Sequence, residues 1–303
     1  MYLSRLVTYI LLVSAMVFWG MSFIWAKIVF QSFHPFTVMV GRLLISSCFL
    51  IVWDYWQTRE LSIKWEYLKI FALLAFFQPF LYFVGESYGL FYVSSTVAAI
   101  IIATIPVVTP LFTYLFLKER LTVIGLLGLL VSFIGVLLVV LNSNSSLVIS
   151  LKGILFLIFA VLASIAYVVA FKKMSHRYRG VTILKYQNLL GTLYFLPFAY
   201  FLERDSFFLS KVTFDVLINL LLLAGFASTL AFLFFNKAIK DLGVNKTNAF
   251  TNTIPIFTAI FAWIILGERI DMQTIVGVLI VITGVLLAQV KSPFFLKNKI
   301  HTI

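Results

Sequence analysis

The stretch T-I-P-V-V-T-P-L-F-T-Y-L-F-L-K-E-R-L, residues 104–121, has a second copy in the chain, T-I-P-I-F-T-A-I-F-A-W-I-I-L-G-E-R-I, residues 253–270. Both are apolar, carry a proline near the start and end on Glu-Arg. Residue 104 falls on residue 253, an offset of 149 that continues downstream without a gap: Gly128 falls on Gly277, Gly135 on Gly284, and Val136-Leu137-Leu138 on Val285-Leu286-Leu287. Fourteen of the 35 positions from 104 to 138 match their partners. Apolar composition gives some matches by itself, but not a proline, a Glu-Arg pair and two glycines in register. The chain is an internal duplication.

Of the 303 residues, 62% are hydrophobic and 11% charged, which is too apolar for a soluble domain. The net charge of +12 does not indicate a nucleic-acid partner, because the charges fall in short runs between apolar segments. A single cysteine, Cys48, allows no intrachain disulfide and no cysteine metal site. No sequence pattern calls for a cofactor. The apolar run at the N-terminus lacks an A-x-A site and reads as a retained first membrane helix.

A helix needs roughly 20 apolar residues to cross a bilayer core. Ten segments qualify: 6–29, 36–53, 67–90, 94–117, 121–141, 152–172, 181–202, 214–236, 246–266 and 271–290. With the N-terminus in the cytoplasm, seventeen of the 23 Lys and Arg fall on the cytoplasmic side, five fall outside and Arg42 lies within a helix. That bias places both termini inside. Trp53, Tyr55, Trp56, Trp65 and Tyr67 flank one cytoplasmic loop as an aromatic belt. Five helices per half means that the second half enters from the opposite side, so the repeats are inverted about an axis in the membrane plane. The expected fold is all-α, with halves 1–143 and 150–291 and a basic cytoplasmic tail, 292–303.

W-G-M-S-F-I-W-A-K (19–27), the helix bearing Arg42, and the paired I-P, E-R and G-V-L-L blocks resemble the drug/metabolite transporter superfamily, in particular proteins with two EamA-type domains. The resemblance covers nearly the whole chain. It implies a secondary transporter of small metabolites, often an exporter of amino acids or related compounds, with a central cavity lined by helices 1, 3, 4, 6, 8 and 9. Alternatives are a channel, a receptor or, last, a membrane hydrolase. The expected setting is the bacterial inner membrane, with a small-molecule substrate, lipid and protons as partners, and a monomer or weak homodimer. The second half departs at its start, where Gln187 takes the place of Arg42.

Candidate site residues are polar groups inside apolar helices. Gln78, Tyr82 and Glu86 are spaced i, i+4, i+8 and share one helical face. Glu86 is a candidate partner for a substrate ammonium or a proton. Arg42, the one basic residue deep in a helix, suits a substrate carboxylate. Asn245, Asn248 and Asn252 run into Pro255, where the first half has Thr96, Ala99, Ala103 and Pro106. Trp19 and Tyr167 on the first and sixth helices, and Asn236 on the eighth, complete the candidate lining. Pro106 and Pro255 remove helix hydrogen bonds at matched positions and are candidate hinges. Glu119-Arg120 and Glu268-Arg269 read as structural corners whose carboxylates bond the amides opening the next helix, beside Thr122 or Asp271 as caps. Gly85-Glu86-Ser87-Tyr88-Gly89 matches the G-x-S-x-G elbow of serine hydrolases, but lies mid-way through an apolar helical run; there it reads as a G-x-x-x-G packing face.

Overall fold

The computed structural model describes residues 2–58, 68–117, 122–141, 148–172, 180–209 and 211–288; all of these that lie in regular elements are helical. In the first half, α1 (Tyr2–Val29) and α2 (Pro35–Thr58) are continuous. The third apolar run divides into α3 (Leu68–Ala75), a wide π-type turn (Phe76–Leu81) and α4 (Tyr82–Tyr92). The fourth divides into α5 (Ser95–Ile102) and α6 (Ile105–Leu117), and α7 (Val123–Val140) closes the half. The second half repeats the order: α8 (Leu151–Lys172), α9 (Gly180–Leu209), α10 (Phe214–Leu222), a wide turn (Leu223–Leu230), α11 (Ala231–Leu242), α12 (Val244–Thr251), α13 (Ile254–Leu266) and α14 (Met272–Ala288).

Local chemistry sets many of these boundaries. Pro35 opens α2, where its missing N–H costs nothing. Thr122 caps α7 by accepting from the Gly125 amide at 3.0 Å, and Asp271 caps α14 by accepting from Thr274 at 2.9 Å. Gly267, with φ 68°, ends α13 in the left-handed region that glycine favours. The sequence places Pro106 and Pro255 inside continuous helices. Instead the helix stops after Ile102 and after Thr251, and restarts so that each proline lies in the first turn of a new helix. There a proline loses no hydrogen bond, so the break before it carries the irregularity rather than a kink around it.

The duplication extends to these irregularities. Shifted by 149 residues, α5 and α6 land residue for residue on α12 and α13, and the two wide turns overlap. Contacts are exchanged in the same sense. The most extensive interface joins α7 to its counterpart α14, and the next joins α2 to its counterpart α9. The α4–α8 interface is answered by α11–α1. Glycines make the first interface close: a Cβ on Gly128 would lie 2.5 Å from the Gly284 carbonyl, and one on Gly135 would lie 2.8 Å from that of Gly277. Gly85 and Gly89 likewise pack against Phe156, Leu157 and Ala160 of α8, as a G-x-x-x-G face does.

The Glu-Arg corner departs from the expectation. Glu268 does not cap the next helix. Its carboxylate accepts from the Ser95 and Thr96 amides at 2.7 and 3.2 Å and from the Thr96 hydroxyl at 2.7 Å, at the start of α5 in the other half. Asp271 already serves the next helix, and the free amides of α5 are the donors left within reach. Glu119 and Arg120 lie outside the described residues, as do most of the long polar connection after Asp54 and the tail from residue 289.

The larger apolar core runs through both halves, from Phe23 and Leu43 to Phe195 and Val281, and a smaller one joins Leu12, Ala15 and Met16 of α1 to Ala231 and Ala238 of α11. The outer surface is apolar too: Leu115, Phe133, Phe201 and Trp263 are 59–78% exposed. Water does not tolerate a surface of that kind, whereas lipid does. Among the described residues, seven helices are long and apolar enough to span a bilayer, with α13 and α14 as shorter apolar helices.

Candidate polar centre between the halves

Arg42 and Glu86 are separated by 44 positions (42 to 86) and meet where α2, α4 and the second wide turn converge. The ends of α2 are held by residues related through the repeat. At its start, Glu203 of α9 accepts from the Phe36 and Thr37 amides at 3.0 and 2.7 Å and from the Tyr88 hydroxyl of α4 at 3.0 Å. At its other end, Asp54 pairs with Lys185 of α9 at 2.5 Å. Residue 54 falls on residue 203 in the 149-residue register, so one acidic position clamps the α2–α9 pair twice. These clamps fix the height of Arg42 against α4.

Arg42 is buried, and its guanidinium is held on two sides. Nε donates to the Ser228 hydroxyl at 2.6 Å, and the Phe83 ring lies 4.4 Å from Cζ. Glu86 receives the Tyr82 hydroxyl on Oε1 at 2.7 Å. Its other oxygen stands 3.9 Å from Arg42 Nη1. That is well beyond the about 2.7–2.9 Å of a charge-assisted hydrogen bond. Opposite charges face each other across a gap, beside a cavity of about 10 Å³, enough for one water. Ser22, Phe23, Ala26, Met39, Ser87 and Leu90 complete its wall. Each buried ion loses several kcal/mol of hydration, so the pair persists only because the hydroxyls and the ring satisfy part of each charge.

The network continues from Ser228. Ser46, one turn beyond Arg42 on α2, donates to the Ser228 carbonyl at 3.1 Å and shares a 2.9 Å hydrogen bond with Thr229. Asn188 of α9 donates to Ser46 at 2.9 Å. Trp19 of α1 donates from Nε1 to the Ala227 carbonyl at 3.1 Å and packs on Phe232 and Phe235. The wide turn exposes backbone carbonyls that a straight helix would use itself, and side chains of the first half take them.

The remaining candidates are placed apart from this cavity. Gln78 leaves the helical face it was expected to share, because its backbone is extended (φ −146°, ψ 117°) just before Pro79. Its carbonyl accepts from Gln187 at 3.0 Å, and Tyr167 hydrogen-bonds the same glutamine. Asn252, at the break before α13, is buried with neither amide atom hydrogen-bonded among the described residues. Asn248 is half-buried and its carbonyl accepts from Thr251 at 2.7 Å. Asn236 is half-buried beside Gly180, at the start of α9. The Asn245 side chain lies outside the described residues.

An offset of 149, carried back into α2 and α9, takes 42 to Gly191 and Ser228 to Pro79, whereas an offset of 145 takes Arg42 to Gln187. Gly191 and Pro79 do meet: a Cβ on Gly191 would lie 2.4 Å from the proline ring. In the 149-residue register a polar side-chain contact, Arg42–Ser228, thus stands opposite an apolar one, Gly191–Pro79.

Comparison with known proteins agrees with the two-repeat layout. The model of the EamA-like transporter family matches residues 6–141 and again 151–289. An uncharacterized transporter of Archaeoglobus fulgidus is 30% identical, over 94% of this chain and 98% of that protein. The uncharacterized transporter YetK of Bacillus subtilis is 26% identical, over 94% of this chain and 87% of its own length. A solved crystal structure superposes with a TM-score of 0.64 at 13% identity, covering 94% of this chain and 97% of that one, a likeness of fold. On these matches, carried by both halves of the duplication, the chain belongs to the EamA-like transporter family.

Proposed function

We propose that this protein is a secondary transporter of small zwitterionic metabolites, amino acids or close relatives, working as an exporter in the bacterial inner membrane. It is not an enzyme. It spans the bilayer ten times, with both termini cytoplasmic and halves 1–143 and 150–291 inverted about an axis in the membrane plane. The exchanged contacts of α7 with α14 and of α4–α8 with α11–α1 support that inversion.

The observation that carries the substrate class is the 3.9 Å gap between Arg42 and Glu86. A substrate carboxylate suits the terminal edge of the guanidinium, and a substrate ammonium suits Glu86. A bound zwitterion would satisfy both charges as α2 and α4 part around it, and Phe23, Met39 and Leu90 would meet its apolar side chain. Without substrate, a proton on Glu86 neutralises its carboxylate, which couples transport to pH. The breaks before Pro106 and Pro255 act as hinges. Alternating access follows when the two repeats exchange conformations.

Purified protein in liposomes tests this against the twenty standard amino acids, the amine left by decarboxylating each, and the acid left by deaminating each, with and without a pH gradient. At least one amino acid should move, and faster than either truncated analogue. Equal movement of the analogues, or movement of no amino acid, overturns the proposal.

A further inference from the structure

We infer that Ser228, on the wide turn of the second half, is the positioning residue that aims Arg42 at its ligand. The inference rests on the reading of Arg42 and Glu86 as the ligand-binding pair. A guanidinium offers a carboxylate two bidentate edges, one through Nε and one through its two terminal nitrogens. Ser228 occupies Nε at 2.6 Å, and Phe83 covers one face. The terminal edge is then the one presented, and among the described residues nothing nearer than Glu86 at 3.9 Å engages it.

Two opposite charges this close, with the Phe83 ring on one side, attract each other, and each is held by a hydrogen bond of its own: Arg42 by Ser228 and Glu86 by Tyr82. Without the serine hydroxyl, Arg42 is free to turn, and its terminal edge is no longer held toward the cavity. A zwitterion must then re-aim that edge before it binds. An amine without a carboxylate never needed the aimed edge.

The repeat adds support. In the 149-residue register the counterpart contact, Gly191 with Pro79, has no polar side chain at either position. A hydroxyl is therefore not required to build that junction. A purely structural link is available next to Ser228 for comparison, since Ser46 ties α2 to the same turn without touching the guanidinium. Because the turn belongs to the second half and Arg42 to the first, a movement of the turn alters ligand affinity directly.

The test uses the full-length protein in liposomes and, as probe, whichever of the twenty amino acids the wild type moves fastest. Inhibition by that amino acid and by its decarboxylated amine is compared for Ser228→Ala, Ser228→Thr, Ser46→Ala and Arg42→Gln. Ser228→Ala should weaken the amino acid about tenfold, the scale of one hydrogen bond to a charged group, and leave the amine within about twofold. Ser228→Thr should restore the wild-type ratio. Ser46→Ala should lower turnover without changing the ratio. Equal weakening of both inhibitors by Ser228→Ala, or the same ratio change from Ser46→Ala, makes Ser228 a structural link and overturns the inference. If Arg42→Gln changes the ratio and Ser228→Ala does not, the inference falls while the substrate reading stands. If Arg42→Gln leaves the ratio unchanged, both fall.

Discussion

Two ionised side chains inside an apolar bundle pose the sharpest energetic question. Removing one partner leaves the other buried and uncompensated, which costs about 3–5 kcal/mol. Arg42→Gln and Glu86→Gln should each lower thermal stability in detergent by that order. The double variant should recover most of it, because two neutral amides can bond each other and the nearby hydroxyls. Transport should fall sharply, to a measurable residual rate, in all three. Recovery of transport along with stability in the double variant would assign the pair a structural role. Glu86→Gln should also flatten the pH dependence of whatever transport survives, measured as initial rate against pH; an unchanged profile removes Glu86 from proton coupling. The sequence exposed both charges, because an ionisable residue within an apolar run stands out. It did not show that they meet, since that depends on the α2–α4 packing. It also hid Ser228, Ser46 and Asn188, because hydroxyls and amides are common in membrane helices and nothing local marks one whose partner lies across the bundle.

Elements show the duplication most clearly where they are irregular. The breaks before Pro106 and Pro255 were legible as matched prolines, but their form was not: the sequence suggested bends, and the chain instead starts a new helix. The matching acids at 54 and 203 were legible in principle, since the offset of 149 aligns them. Their role was not, because each lies near a helix end, where charge is ordinary. Glu203→Gln should loosen the start of α2 by about 1–3 kcal/mol, because an amide cannot accept on both sides as the carboxylate does. Hydrogen exchange of the Phe36 and Thr37 amides measures this directly; unchanged protection would mean that the carboxylate is not what orders them. The glycine interface is stricter. Gly284→Ala places a methyl 2.4 Å from the Ser132 amide nitrogen, so α7 and α14 must separate. A loss of about 1–3 kcal/mol in thermal unfolding is expected, and a neutral result would show that the helices are not this close.

Across the whole molecule, symmetry of backbone and asymmetry of chemistry divide the work. The halves share helix order, breaks, wide turns and exchanged interfaces. They differ where Arg42 meets Ser228 and Gly191 meets Pro79. In the proposed mechanism the shared part supplies two equivalent ways for the halves to pack, and the unshared part supplies one ligand site. If so, the cavity beside Arg42 and Glu86 opens to one face of the membrane and then to the other. The direct measurement is labelling of Ser87→Cys, in a chain whose own cysteine is removed by Cys48→Ser, with a membrane-impermeant thiol reagent applied separately from each face of oriented vesicles. Labelling is expected from both faces, slowed from each by the transported amino acid, with no ion conductance through the protein. Labelling from one face alone under every substrate and pH condition would contradict alternating access at this site.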